Sequence, residues 1–251
     1  HTIDQSCRFE AGDTPYLSKT YGSAGSSVDV WTVSWWMKLT NGSAKMRVIF
    51  GGGGTFRGGG NTATFISLGG SGVIPSVILQ QYNSGTTANV MATPLLRDES
   101  AWYHCVVRFD STQSTDTNRV RIYINGVESP AYTRYDGSTV LYPNQNVDST
   151  IGGATEHYIA KAYGEANSDG CFYLADFNYC DGQSLAPSSF GEFKNDIWIA
   201  KDTSGLTFGD NGFRMQFETS GTLGNDTSGN NNDYASSGLA ATDQVPDSPT
   251  N

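Results

Sequence analysis

The densest group of metal-type ligands in the sequence is the run Asp226-Thr-Ser-Gly-Asn-Asn-Asn-Asp233. Calcium prefers about six to eight oxygen ligands from carboxylates, carbonyls and amides, and a short turn of this composition supplies all three. We therefore predict calcium ligands at Asp226, Asn230 and Asp233, with Asp176 as a further candidate. The alternative is a turn that its own side chains stabilise through hydrogen bonds to the backbone.

Carboxylates in a pattern suited to sugar hydrolysis are missing from the sequence. Glycosidases need two carboxylates across the scissile bond, and a strand with Glu-x-Asp-x-x-Glu would place them on one face. No glutamate here is followed by aspartate two positions later. Gly-x-Ser-x-Gly is absent, and His104 is predicted to be a strand residue with a satisfied imidazole. We therefore expect no enzyme activity.

Tyrosines in turn-rich segments suggest carbohydrate binding. Aromatic rings offer flat faces to sugar C–H groups, while Asn, Asp and Gln side chains bond the hydroxyls. The candidates are the tyrosines that a core does not need: Tyr82, Tyr132, Tyr135, Tyr142, Tyr158 and Tyr163. Contact with another subunit is an alternative use of exposed tyrosine. Trp31 and Trp35 are assigned to the core, whereas Trp36, of opposite parity, is assigned to an exposed sheet face.

Short runs of alternating apolar and polar residues lie between turn residues. The strands that these runs predict must position the candidate side chains. Trp31–Leu39 alternates with period two, which predicts a core strand, and Asn125-Gly126 predicts a hairpin turn. Gly51–Gly60 is predicted to be a loop, and only Ala186–Asn195 looks helical, as a short turn starting near Pro187. The other predicted strands are Met46–Phe50, Thr64–Leu68, Val73–Gln81, Trp102–Phe109, Arg119–Ile124, Cys171–Tyr179 and Gly212–Glu218. The pattern predicts an all-β fold, a sandwich of two antiparallel sheets.

Composition excludes several classes of partner. The chain has 251 residues and a formal net charge of −10, so it offers no basic surface for nucleic acid. No apolar run reaches the ~20 residues of a membrane span. Four cysteines, Cys7, Cys105, Cys171 and Cys180, form no Cys-x-x-Cys pair. We expect four thiols, the alternative being one disulfide from Cys7 to a neighbouring strand.

Several motifs together match one known family. They are Phe9-Glu-Ala-Gly-Asp-Thr-Pro-Tyr-Leu17, Thr32-Val-Ser-Trp-Trp-Met-Lys38, Trp102-Tyr-His-Cys-Val106 with Tyr123-Ile-Asn-Gly126, Ile151-Gly-Gly153, and Gly170-Cys-Phe-Tyr-Leu-Ala-Asp176 with Asp181-Gly-Gln-Ser-Leu185. This pattern resembles the concanavalin A-like jelly roll in its laminin-G-like branch. The resemblance covers most of residues 7–195 and implies the same sandwich fold. Calcium near the ends of the sandwich is frequent in that family.

The Asp226–Asp233 turn departs from the usual order of the family, in which such a turn precedes the first strand. One interpretation is circular permutation, with residues 206–251 supplying that strand within a single domain of residues 1–251. The alternative is that these residues begin a further module. Further motifs run through residues 173–251: Leu174-Ala-Asp-Phe177, Asp181-Gly-Gln183, Phe190-Gly-Glu-Phe193, Asn211-Gly-Phe213, the Asp226 turn and Thr242-Asp-Gln-Val245. In these motifs the segment also resembles modules of tailed-phage structural proteins, particularly aquatic ones.

These resemblances imply a function and a setting. We expect a non-catalytic, lectin-like module of a virion surface protein, extracellular in location, that binds host-surface polysaccharide. The alternative is a purely architectural virion protein that decorates or oligomerises and has no glycan ligand. The expected partners are therefore polysaccharide, other virion proteins or further copies of the chain, and neither nucleic acid nor membrane.

Overall fold

The computed structural model describes residues 1–40, 47–54, 62–69, 75–83, 86–161 and 171–249. In these residues two antiparallel sheets lie face to face, as the all-β sandwich prediction required. A two-stranded ribbon packs on the outside of one sheet. None of the described helices is long and apolar enough to span a membrane.

The first sheet is built around two ten-residue strands. Numbered along the chain, its strands are β1 (Ser6–Phe9), β3 (Val30–Leu39), β8 (Trp102–Asp110), β9 (Val120–Ile124), β10 (Val127–Glu128), β13 (Phe172–Asp181), β16 (Phe213–Met215) and β18 (Gln244–Val245). Their spatial order is β10–β9–β8–β3–β13–β1–β18, and β16 also pairs with β13.

The second sheet carries the candidate binding surface. Its strands are β2 (Tyr16–Thr20), β4 (Arg47–Gly53), β5 (Thr62–Gly69), β6 (Ser76–Asn83), β7 (Thr86–Ala92), β11 (Tyr132–Thr133), β12 (Glu156–Ile159) and β17 (Ala235–Ser237). Their spatial order is β11–β7–β6–β5–β4–β12–β2–β17. The outer ribbon pairs β14 (Gly191–Lys194) with β15 (Ile197–Ala200). The described 3-10 turns are Ala11–Asp13, Asp116–Asn118, Pro187–Ser189 and Ala241–Asp243.

Alternation along β3 builds the core as predicted. Trp31 and Trp35 are fully buried between the sheets. Phe50 of the second sheet meets Phe177 of the first with ring centroids 5.7 Å apart. All four cysteines are free thiols, as expected.

Trp36 does not lie on an exposed face, contrary to the prediction. The ring is only 5% exposed, because the outer ribbon packs over it and contributes Trp198 to the same cluster. The expected helical turn at Ala186–Asn195 is a 3-10 turn at Pro187–Ser189 followed by strand β14. These residues form strand β14 because they pair with β15, and the local sequence does not predict such pairing.

Gly51–Gly53 belong to strand β4 and not to the predicted loop. A Cβ atom on Gly51 would lie 2.3 Å from the ring of Phe65, and one on Gly52 would lie 2.8 Å from His157. These glycines are therefore places where neighbouring side chains cross the strand closely. The part of the predicted loop at positions 55–60 lies outside the described residues.

The C-terminal segment contributes strands to both sheets. β16 and β18 join the first sheet, whereas β17 pairs with β2 of the second. The observed β16 is shorter than the predicted strand Gly212–Glu218. Circular permutation of residues 206–251 stays a prediction.

Candidate functional site: a polar pocket with two tyrosines

A pocket of about 260 Å³ opens on the second sheet beside its edge strand β11. The lining combines two aromatic rings, three neutral polar side chains and one pair of opposite charges. The lining residues are Gln80, Tyr82, Thr86, Asn89, Arg134, Tyr135 and Asp136. Ligand pockets for drug-sized molecules occupy about 300–1,000 Å³, so this one suits a smaller molecule or a single unit of a larger one.

The floor of the pocket comes from paired residues of β6 and β7. Gln80 and Asn89 lie directly opposite each other in the sheet. Their chain neighbours Leu79 and Val90 face the core, so alternation directs the two amides to the outer face. Gln80 Nε2 donates a hydrogen bond of 3.0 Å to the Tyr82 hydroxyl. The floor is therefore amide-rich and partly held in place by its own contacts.

The rim is attached to the floor through Asn89. The backbone N–H of Tyr135 donates to Asn89 Oδ1 at 3.2 Å, and the backbones of Asn89 and Leu141 exchange bonds of 2.7 and 3.3 Å. These contacts hold the segment after β11 against β7. Tyr135 is left 43% exposed, which is unusual among the large hydrophobic side chains of the described residues.

Two opposite charges flank Tyr135 in the chain and in the pocket. Arg134 Nε lies 3.5 Å from Asp136 Oδ2. Asp136 Oδ1 accepts hydrogen bonds from Ser138 Oγ at 2.6 Å and Ser138 N at 3.0 Å, and these bonds lower the pKa of the carboxyl. Arg134 Nε is buried and makes no hydrogen bond. The pocket thus contains an ionised acid and a donor without an acceptor.

The remaining predicted tyrosines lie elsewhere and mostly support the fold. Tyr132 and Tyr142 meet edge to face at 6.4 Å, and Tyr132 accepts a hydrogen bond of 3.0 Å from the Ile122 backbone. Burial raises the pKa of Tyr132 to about 12. Tyr158 is 8% exposed and packs against Tyr16. Three of the predicted loop tyrosines, Tyr82, Tyr132 and Tyr158, are in fact strand residues; Tyr163 lies outside the described residues.

The Asp226–Asp233 turn is held by hydrogen bonds from the protein itself. Asp226 Oδ1 accepts from the backbone N–H groups of Arg214 and Ser228 at 2.9 and 2.8 Å. Its Oδ2 accepts from Asn232 N at 2.8 Å and Ser228 Oγ at 2.9 Å. Asp233 Oδ1 accepts from Asp226 N at 2.7 Å. This is the arrangement that the structural-turn alternative describes.

The other two predicted calcium ligands also have protein partners. Asn230 Nδ2 donates to the carbonyls of Gly209 and Gly212 at 2.6 and 2.9 Å. Asp176 accepts a bond of 2.9 Å from Arg214 Nε. Across the described ranges no three side chains of His, Cys, Asp or Glu form a group that could hold a metal. Calcium at this turn is an untested prediction, and these contacts favour its structural-turn alternative.

His104 has both ring nitrogens satisfied, as predicted. Trp198 Nε1 donates to Nδ1 at 3.0 Å, and Ser34 Oγ lies 2.9 Å from Nε2. An indole can only donate, so the His104 proton sits on Nε2 and points at Ser34. Burial lowers the pKa of His104 to about 3. In this tautomer His104 cannot accept the proton of Ser34, so the pair is not arranged as nucleophile and base.

Sequence reasoning found the two aromatic rings of the pocket and missed its polar groups. Gln80, Asn89, Arg134 and Asp136 are ordinary in the sequence and become a group only through strand pairing. The segment Arg134-Tyr-Asp136 could have indicated the site, because opposite charges flank a tyrosine there before a Gly-Ser turn.

A comparison with protein-family models supports the fold. A family model described as the concanavalin A-like lectin/glucanases superfamily matches residues 13–165, more than half of the chain. No curated protein sequence matches.

Solved structures similar to the chain share little sequence with it. A native heptameric SAP-like pentraxin from Limulus polyphemus is 15% identical, with a TM-score of 0.48 over 80% of this chain and 93% of that one. The enzymatically active domain of tailspike protein 2 from bacteriophage CBA120 is 9% identical, with a TM-score of 0.42 over 69% of this chain and 25% of that one. Domains LG4-5 of the mouse laminin alpha1 chain are 10% identical, with a TM-score of 0.44 over 75% of this chain and 44% of that one.

Proposed function

Because the chain belongs to the concanavalin A-like lectin/glucanases superfamily, we propose that it is a non-catalytic, lectin-like module whose pocket binds one sugar of a host-surface polysaccharide. We further propose that it works on the surface of a virion. The virion setting is supported by the motifs of residues 173–251 that resemble tailed-phage structural proteins. The binding role is supported by the pocket.

The main support for the binding role is that aromatic rings and planar polar groups line the same pocket. Tyr82 and Tyr135 line the same pocket as the amides of Gln80 and Asn89. Tyrosine offers an apolar face to sugar C–H groups, whereas amides can donate to and accept from hydroxyls. The lining thus supplies both kinds of contact that a sugar ring needs.

The non-catalytic part of the proposal is supported by the acid content of the same pocket. Hydrolysis of a glycosidic bond generally uses two carboxyl groups on opposite sides of the bond. In the part of the lining that the structure describes there is one carboxylate, Asp136, which is paired with Arg134 at 3.5 Å. The pocket therefore fits binding better than bond cleavage.

A binding experiment with matched aromatic variants tests the proposal. Glycan-array binding and calorimetry would compare the 251-residue chain with Tyr135→Ser and Phe193→Ser. Tyr135 is 43% exposed at the pocket, and Phe193 is 56% exposed on the outer ribbon. We expect Tyr135→Ser to weaken binding by about fivefold, since an aromatic contact of this kind is worth about 1 kcal/mol. Phe193→Ser should leave binding unchanged. Equal binding by all three proteins, or no binding to any glycan, would rule the site out.

A second candidate, an architectural role in the virion, is favoured by exposed apolar side chains. Val127, Phe193 and Ile197 are 60%, 56% and 65% exposed. Phe193 contacts Trp198 at 5.0 Å, and Gly126, the chain neighbour of Val127, also lies against Trp198. Exposed apolar groups of this size often belong to protein contacts. Light scattering over a wide concentration range, with Phe193→Ser and Ile197→Ser, tests this role; a monomer at every concentration would count against it.

A further inference from the structure

We infer that the pocket selects a neutral sugar and holds two adjacent hydroxyl groups between Arg134 and Asp136. This inference rests on the proposed function and names its ligand class more narrowly. Three observations support it: the ion pair inside the pocket, the partial exposure of both charged side chains, and the net charge of the chain.

The ionised groups of the lining cancel. Among the described lining residues Arg134 is the one cation and Asp136 the one anion, and the two lie 3.5 Å apart. A sugar carboxylate that approached the guanidinium would therefore also approach Asp136, which repels it. A neutral ring avoids this cost, because its hydroxyls contact both charges favourably.

The pair also presents a donor beside an acceptor. Ser138 occupies Asp136 Oδ1, so Oδ2 is the oxygen that faces the guanidinium. The Arg134 side chain is 31% exposed and that of Asp136 is 46% exposed, so both charged groups are partly open to a ligand. A hydroxyl both donates and accepts. One sugar hydroxyl can thus accept from Arg134 while its neighbour on the ring donates to Asp136.

The charge of the whole chain acts in the same direction. With a formal net charge of −10, the protein repels anionic polysaccharides before contact. Attraction between opposite charges falls with added salt, whereas hydrogen bonds to neutral hydroxyls do not depend on it in this way. Binding of the correct ligand should therefore be nearly independent of salt.

The test compares neutral and acidic probes. Calorimetry would use oligosaccharides of glucose, galactose and mannose against oligosaccharides of uronic acid and sialic acid, with NaCl at about 50 mM and 500 mM. We expect the chain to bind a neutral probe at least about tenfold more tightly than any acidic one, with less than about a twofold change between the salt concentrations. A deoxy analogue that lacks one of the two adjacent hydroxyls should lose about tenfold.

Two variants separate the roles of the charges. Asp136→Asn keeps an oxygen for the Ser138 bonds and leaves Arg134 unopposed. It should weaken neutral binding by about tenfold and create salt-sensitive binding of an acidic probe. Arg134→Gln should weaken neutral binding without any gain for acidic probes. Preferred binding of acidic probes by the natural chain, weakened by Tyr135→Ser, would overturn the inference and leave the proposed function standing. Glycan binding that no pocket variant changes would overturn both.

Discussion

Arg214 donates from Nε to the Asp176 carboxylate across 2.9 Å, in a part of the interior where each side chain is only 4% exposed. Asp176 occupies a bulge of β13 with a backbone φ of 41°, between the residues that pair with β3. Arg214 lies in β16 of the C-terminal segment and also donates its backbone N–H to Asp226. One arginine therefore connects the bulge of β13 to the Asp226–Asp233 turn.

Breaking this pair should cost much of the stability of the fold. Removal of one partner leaves the other buried charge without its close counter-ion, which typically costs about 3–5 kcal/mol. We expect Asp176→Asn to lower the free energy of unfolding by this amount in urea titrations. Asp202→Asn is the matched control, because the Asp202 carboxylate lies 3.8 Å from Arg214 but is 58% exposed. Such pairs contribute about 0–1 kcal/mol, so equal losses in both variants would contradict the assignment.

Calcium should not change the stability of the chain. Both oxygens of Asp226 accept two hydrogen bonds each, from Arg214, Asn232 and both donors of Ser228. A metal would have to displace these donors before it could bind the carboxylate. We expect the same thermal midpoint in EDTA and in millimolar calcium, since only a ligand of the native state raises it. A clear rise with calcium that Asp226→Asn removes would make the turn a metal site.

Alternation of apolar and polar residues predicts the strands well, but it does not predict which residues pack over them. The strand Trp31–Leu39 is predictable because residues on the two faces of a half-buried strand alternate along the sequence. Trp36 was misplaced because its cover, Trp198, is distant in the chain and reaches it only through the outer ribbon. The glycines at 51–53 are predicted as a loop because their close contacts with the side chains of Phe65 and His157 are long-range and do not show in the local sequence.

The candidate site was half predictable for the same reason. Aromatic residues stand out by type, so Tyr82 and Tyr135 could be named from the sequence. Gln80 and Asn89 meet through the pairing of β6 with β7, and Arg134 reaches them because Tyr135 is bonded to Asn89. These are long-range contacts, and residue type does not report them.

Acid should destabilise the fold through two buried histidines. Burial lowers the pKa of His104 to about 3 and that of His157 to about 4, from an ordinary value of 6.5. Between these values the unfolded chain binds more protons than the folded one, so stability falls as the pH drops below 6.5. We expect a loss of about 2 kcal/mol per histidine between about pH 7 and pH 5, measured as the free energy of unfolding.

The variant His104→Gln tests the assignment of that loss. Glutamine can still accept from Trp198 and donate to Ser34, but it does not titrate. Its unfolding free energy should therefore depend on pH about half as steeply over this range. An unchanged slope would show that His104 is not one of the groups responsible.

Substitutions at two glycines test how closely the outer ribbon packs on the hairpin between β9 and β10. Gly126 and Gly137 have almost the same positive φ, 78° and 77°. A Cβ atom on Gly126 would lie 2.3 Å from the Trp198 ring, whereas one on Gly137 would meet nothing within 4 Å. Gly137→Ala should cost only the backbone strain, about 1–2 kcal/mol. Gly126→Ala should cost at least about 1 kcal/mol more, because Trp198 must also move. Urea unfolding compares the two, and a shift of the tryptophan fluorescence in Gly126→Ala alone would place the displacement at Trp198. Equal costs with unchanged fluorescence would mean that the ribbon does not rest on this turn.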